Sequence, residues 1–167
     1  MGLLTSGADI KVGIADWKVA HNPVQIITLG LGSCVGITLY DPTSKIGGLA
    51  HIMLPDSSQF PGYTNPAKFA DLAIPLMVEE MLRRGARIPV MQAKIAGGAQ
   101  MFSFPEKQNS TLNVGARNVA MTREALRKIG IRLLAEDTGG NYGRTMILNT
   151  DDGGVFIRTV GSPIKKL

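Results

Sequence analysis

The chain has 167 residues, 44% of them hydrophobic, which fits one globular domain with a single sizeable core and leaves little room for a second. Its one cysteine excludes an internal disulfide. The net charge of +5 favours acidic partners, but the dispersed basic residues and 5% aromatic content argue against nucleic-acid binding. The opening "MGLLTSGADIKVGIAD" lacks signal-peptide character, and no run approaches the roughly 20 apolar residues of a spanning helix, so we expect a cytoplasmic protein.

Eight short apolar runs rich in valine and isoleucine predict β-strands. The last two should form a hairpin across "NTDDGG" because glycine and aspartate favour tight turns. In chain order the runs are "IKVGIADWKVA", "VQIITL", "VGITLY", "IGGLAHIML", "VMQAKIA", "IRLLAED", "RTMILNT" and "GVFIRTV".

Two segments with helical spacing of apolar residues lie between the strands. The first should begin with Asn65 as N-cap, followed by a proline, and end at Gly85. The second should run from about Gly115 to Lys128 with Gly130 as C-cap. Because strands outnumber helices, we predict an α/β fold: a single-domain sandwich of mixed β-sheets over residues 1–167, with the helices packed outside.

A glycine-rich segment, "TLGLGSCVGI", carries the only cysteine, Cys34. Its glycine spacing differs from the dinucleotide-binding fingerprint, and a strand follows it where that fingerprint needs a helix, so we exclude a nucleotide site. Glycines do allow backbone N–H groups to converge on a small anion such as an oxyanion. We therefore expect Gly30, Gly32 and Ser33 to contact a substrate or partner.

The hairpin after Cys34 offers a test of whether the thiol has a base. Apolar residues occupy odd positions 35–39 of one strand and even positions 50–54 of the next. If these residues share one core, Cys34 and His51 emerge together on the other face, directly opposite or on a diagonal of about 7–8 Å. Such a pair suits thiol catalysis. The alternative is an inert core cysteine and a structural histidine, and His21 is expected in a solvated loop.

Six motifs follow one another along the chain: "TLGLGSCVGITLYDP", "GGLAHIMLPDS", "NPAKFADLAI", "AKIAGGAQMF", "GARN" and "LLAEDTGG". Together, from about Lys11 to Val160, they resemble the CheD family of bacterial chemotaxis proteins. The resemblance implies an α/β sandwich related to bacterial toxin deamidases and an active site of cysteine, histidine and threonine. These roles would fall on Cys34 in "GSC", His51 in "AHIMLP" and Thr28 in "TLGLG".

The resemblance also implies an activity and partners. The activity is hydrolytic deamidation of glutamine side chains on chemoreceptors through a thioester, without cofactor or metal, and some relatives hydrolyse glutamyl methyl esters. The partners are the receptors, through which alone the protein would meet a membrane, and the CheC phosphatase, with the protein a monomer or a heterodimer with CheC. A mainly regulatory binding module and a thiol peptidase or acyl transferase remain as alternatives.

The segment "GGAQMF" places Met101 and Phe102 after a glycine pair. Because glycines disfavour a regular buried strand, we expect these two side chains to be exposed anchors for a helical partner, with core packing as the alternative. Gly97 and Gly98 are expected to shape the loop.

Overall fold

The computed structural model describes residues 9–101 and 113–167. These residues form ten strands and two α-helices, joined by loops and short 3₁₀ turns. The strands are β1 (Asp9–Val12), β2 (Asp16–His21), β3 (Gln25–Leu31), β4 (Val35–Asp41), β5 (Ile46–Ile52), β6 (Gln92–Gly97), β7 (Arg132–Thr138), β8 (Arg144–Asn149), β9 (Val155–Arg158) and β10 (Lys165–Lys166); the helices are α1 (Ala70–Arg83) and α2 (Val114–Ile129).

The strands form two sheets of five. The outer sheet has the order β1-β3-β8-β9-β10 and the middle sheet the order β2-β5-β4-β6-β7. Each contains one parallel pair, β1 with β3 and β6 with β7, while the other neighbours run antiparallel. The prediction of mixed sheets is confirmed, as is the hairpin of β8 and β9.

Two apolar clusters hold three layers together. One contains side chains of both sheets, for example Ile26 and Met146 of the outer sheet with Leu49 of the middle sheet. The other joins the opposite face of the middle sheet to the helices, for example Ile37 to Met77. Both helices therefore cover one face of the sandwich, and among the described residues the apolar cluster between the sheets contains strand and loop residues but none from α1 or α2.

The first predicted strand was wrong as a single element. It divides into β1 and β2, which lie in different sheets. Ala15 lies between them with φ of 60°, in the left-handed region that turns the chain from one sheet to the other. His21, expected in a loop, is the exposed last residue of β2.

The first helix begins later than predicted, whereas the second helix agrees with the prediction. Asn65 caps a short 3₁₀ turn, Pro66–Lys68, and α1 begins only at Ala70, because Phe69 between them is extended and bridges to Leu54. The second helix is confirmed, and Gly130 ends it in the left-handed conformation. Among the described residues, no helix is long and apolar enough to cross a membrane.

Candidate active site

The β4–β5 hairpin has the register that its apolar alternation predicted. Val35 pairs with Ile52, and Gly36 pairs with His51. Cys34 lies two residues before Gly36, so it has the parity of Gly36 and stands diagonally from His51 on the face directed at the outer sheet. In agreement, Cys34 packs against the apolar cluster between the sheets.

His51 is fully buried and bonded to the outer sheet. Its Nδ1 lies 2.6 Å from the Oγ1 of Thr28, which reaches across from β3. Its Nε2 is buried and has no hydrogen-bond partner among the described residues. Burial lowers the pKa of His51 to about 4, so the imidazole is neutral at neutral pH.

The hydrogen bonds of Thr28 define the tautomer of that imidazole. The Thr28 hydroxyl donates its single proton to the carbonyl oxygen of Val12, 2.8 Å away. It can then only accept from His51, so Nδ1 carries the ring proton. Nε2 is left with a free lone pair in the space between the sheets, which makes it a proton acceptor.

Cys34 is half-buried and is a free thiol. Burial raises the pKa of this thiol, and a hydrogen bond from its own backbone amide opposes the rise. Because burial disfavours charge on Cys34 and on His51 alike, the resting pair is a neutral thiol and a neutral imidazole. A base would have to take the thiol proton as the sulfur reacts.

The loop that carries Cys34 is bound through three successive carbonyl groups. Two of the donors are backbone amides of the segment after β6, and the third is a side chain of α2. The carbonyl of Gly32 accepts from Ala99 N–H at 2.8 Å, that of Ser33 from Asn118 Nδ2 at 2.9 Å, and that of Cys34 from Gly98 N–H at 2.8 Å.

The glycine pair at the end of β6, Gly97 and Gly98, lies directly against this loop. Gly97 has φ of +108°, and a side chain there would collide with the carbonyl oxygen of Cys34. Gly97 therefore shapes the loop, as expected from the sequence.

The other predicted binding residues surround the loop. Gly30 is exposed, and Ser33 and Gly32 are half-buried. The side chain of Met101 is 45% exposed and lies over Gly32, where an added Cβ would stand 3.3 Å from Met101 Cγ. Exposure of Met101 agrees with the prediction, whereas Phe102 lies outside the described residues.

A cavity of about 570 Å³ opens beside the loop. Gly30 lines it, together with Arg144 and Arg158, but none of Thr28, Cys34 and His51 does. The described residues contain no group of three or more histidine, cysteine, aspartate or glutamate side chains arranged to hold a metal ion.

Asn118 was missed by the sequence analysis. It belongs to "GARN" and lies fully buried on α2, with Nδ2 donating to the carbonyl oxygens of Ser33 and Met53, each at 2.9 Å. A detectable signal existed: Asn118 and Thr122 are polar residues one turn apart on the apolar face of a helix. A buried asparagine needs hydrogen-bond partners, so a polar residue on the apolar face of a helix predicts contacts between its side chain and a neighbouring element.

The chain is similar to known proteins over nearly its whole length. Residues 53–159 match the family model described as "CheD chemotactic sensory transduction". A protein of Moorella thermoacetica is 59% identical over 157 residues, covering 94% of each chain, and one of Desulforamulus reducens is 58% identical over 165 residues, covering 99% of each. A third, from Clostridium acetobutylicum, is 55% identical over 159 residues and 95% of each chain.

All three relatives carry the name "Probable chemoreceptor glutamine deamidase CheD". The family model begins after Thr28, Cys34 and His51, but the relatives align over nearly the whole chain. With identity above one half over such lengths, the chain belongs to the CheD family.

Proposed function

We propose that this protein converts glutamine side chains of chemoreceptors to glutamate, with Cys34 as nucleophile, His51 as general base and Thr28 as the residue that orients the imidazole. The 2.6 Å contact between Thr28 and His51 carries the proposal, since it leaves Nε2 as a free proton acceptor on the face shared with Cys34. The names of the relatives supply the substrate class.

The first step joins the sulfur to the side-chain carbonyl carbon of the glutamine. His51 Nε2 takes the thiol proton while Cys34 Sγ forms the C–S bond, and the carbonyl π pair moves to oxygen. The imidazolium then gives its proton to the amide nitrogen. The C–N bond breaks, ammonia leaves, and a thioester to Cys34 remains.

Water completes the reaction. His51 Nε2 takes a proton from water as its oxygen attacks the thioester carbon, and the C–S bond breaks when the second tetrahedral intermediate collapses. The proton on His51 returns to the Cys34 sulfur, and the product is glutamate. The same route would release methanol from a glutamyl methyl ester, which is the second activity we propose.

The negative oxygen of each tetrahedral intermediate needs hydrogen-bond donors. We assign this role to backbone N–H groups of the loop containing Gly30, Ser33 and Cys34; the Gly32 N–H already donates to the carbonyl oxygen of Gly30 at 3.0 Å. Support comes from the three carbonyls of this loop that accept hydrogen bonds from Ala99, Asn118 and Gly98. A loop held in this way presents its amides without reorganisation during the reaction.

The proposal extends to partners and location. The chain would act as one domain in the cytoplasm, meeting the membrane only through receptors, and would bind the CheC phosphatase as a heterodimer. The exposed Met101 beside the loop supports a shared docking surface for helical partners.

The test is incubation of purified receptor with the protein, followed by mass spectrometry of receptor peptides. Glutamine peptides should show the mass increase of amide-to-acid conversion, ammonia should appear in equal amount, and the receptor backbone should remain intact. Cys34→Ala is the control and should give neither. Backbone cleavage would indicate a peptidase, and CheC binding without any conversion would indicate a regulatory module; either result would refute the proposal.

A further inference from the structure

The side chain of Asn118 is clamped between two backbone carbonyls. Both protons of its Nδ2 are used, one toward Ser33 and one toward Met53, and the residue is fully buried. The opposite orientation of the amide would place Oδ1 against both carbonyl oxygens, so the network decides the orientation. Oδ1 has no hydrogen-bond partner among the described residues, so both hydrogen bonds of this side chain come from its nitrogen.

The bond to Ser33 also determines the direction of the next amide. The C=O of Ser33 and the N–H of Cys34 belong to one trans peptide plane, in which they point to opposite sides. With the carbonyl directed at α2, the Cys34 N–H must point away from α2. This amide donates to no other residue among 9–101 and 113–167.

The same amide acts on the thiol. It lowers the pKa of its own thiol, against the rise that burial causes. Because only Cα and Cβ separate the amide nitrogen from Sγ, the N–H lies close to the sulfur. An oxygen on a carbon bonded to this sulfur would come within reach of the N–H.

The second bond of Asn118 ties this loop to the strand of the base. Met53 follows directly after β5, two residues beyond His51. One side chain thus holds the backbone of the nucleophile and the backbone of the base at a constant separation.

We propose that Asn118 is a positioning residue that holds the Cys34 N–H toward the oxygen of the tetrahedral intermediate. This inference rests on the thiol mechanism proposed above. Asn118 itself touches neither the substrate nor the sulfur in this scheme. Loss of one donor to such an oxygen lowers kcat by about 10²- to 10³-fold in other enzymes, which sets the size of the expected effect.

Two reactions of the same sulfur separate this role from a purely structural one. Deamidation passes through a tetrahedral oxyanion, whereas alkylation by iodoacetamide displaces iodide at a saturated carbon and forms none. In Asn118→Leu, which keeps similar volume without donors, kcat for deamidation should fall about 10²-fold while KM stays similar. Alkylation of Cys34, followed at alkaline pH, should keep the rate of the unaltered protein.

Controls and opposing results make the test decisive. Thr122→Val removes a buried hydroxyl one turn further along α2 that has no hydrogen-bond partner within residues 9–101 and 113–167, and it should change neither reaction. Equal loss of deamidation and alkylation in Asn118→Leu and Asn118→Ala would overturn the inference, as would unchanged kcat or a change confined to KM. Deamidation that persists in Cys34→Ala would instead refute the thiol mechanism itself.

A measurement on the unaltered protein covers the case in which both variants fail to fold. An aldehyde analogue of the glutamine side chain should add to Cys34 and place its oxygen where the oxyanion forms. The amide proton of Cys34 in isotopically labelled protein should then move downfield in the NMR spectrum. An adduct that leaves this resonance in place would overturn the inference.

Discussion

Thr28 and His51 come from different sheets and are joined by a contact of 2.6 Å between Oγ1 and Nδ1. Both side chains are buried in the otherwise apolar space between the sheets. Because the Thr28 proton is already used on Val12, this bond holds the imidazole in one tautomer and one orientation. The same contact therefore belongs to the packing of the two sheets and to the proposed chemistry.

Substitution of Thr28 should affect stability and rate together. Thr28→Val leaves the Nδ1 proton of His51 buried without an acceptor, which should cost about 1–3 kcal/mol of unfolding free energy. Deamidation should slow by less than in Cys34→Ala, since the reacting pair remains. Thr28→Ser keeps the hydroxyl and should retain most activity. Urea unfolding and peptide mass spectrometry measure both effects, and a valine variant as fast as the unaltered protein would contradict the orienting role.

The burial of His51 should make the protein less stable in acid. Its pKa is lowered to about 4 in the folded protein, while the unfolded chain protonates near the ordinary value of about 6.5. Between these values the unfolded state binds more protons, so the free energy of unfolding falls as pH falls. The whole loss amounts to about 3 kcal/mol and is complete below the folded pKa.

Urea unfolding across this pH range, with two glutamine variants, measures that loss. His51→Gln should remove this part of the acid sensitivity. His21→Gln should keep it, because the side chain of His21 is exposed at the end of β2. Equal acid sensitivity in the unaltered protein and His51→Gln would show that His51 is not buried as a neutral imidazole.

Local patterns in the sequence predicted the hairpin but could not predict what packs on it. Apolar alternation in two adjacent strands determines their register, so the pairing of Gly36 with His51 could be predicted from the sequence. The contact from Thr28 depends on how one sheet lies over the other, which no local pattern encodes. The resemblance to a family proposed Thr28, and the structure supplies the hydrogen bond.

Two features differ from the sequence-based predictions: the division of the first strand and the role of Asn118. The first strand divides because Ala15 adopts φ of 60°, a conformation that alanine rarely takes and that propensity does not predict. The amide of Ala15 donates to the carbonyl oxygen of His51 at 2.9 Å, a tertiary contact that accompanies the turn. For Asn118 the local pattern indicates only that a buried amide needs partners, because the carbonyls that it binds lie 85 and 65 residues away in the chain.

The pH dependence of Cys34 alkylation should show that the Cys34 thiol and the His51 imidazole are both neutral in the resting protein. Because burial raises the pKa of this thiol, alkylation by iodoacetamide should be slow near neutral pH. Its rate should begin to rise only at a higher pH than the alkylation rate of a free cysteine does. A small thiol such as glutathione, alkylated in parallel, is the control. Fast alkylation that persists into the acid range would indicate a thiolate–imidazolium pair and would contradict the neutral scheme.

The last prediction concerns Met101, whose side chain is 45% exposed beside Gly32 at the edge of the loop that carries Cys34. Met101→Glu should change the unfolding free energy by no more than about 0.5 kcal/mol, as is usual at exposed positions. It should weaken binding to receptor or CheC at least about tenfold if Met101 enters an apolar contact, because the new charge would be desolvated without a partner. Leu82→Glu is the matched control, since the side chain of Leu82 on α1 is 41% exposed. Leu82 lies far from Cys34: soon after it in the chain, the backbone N–H of Arg87 donates to Asp41, the last residue of β4, whereas Cys34 precedes the first. Thermal unfolding and binding measured on the same samples separate the cases. Equal binding by both variants would show that Met101 is not an anchor, and a large loss of stability in Met101→Glu would show that it serves the fold.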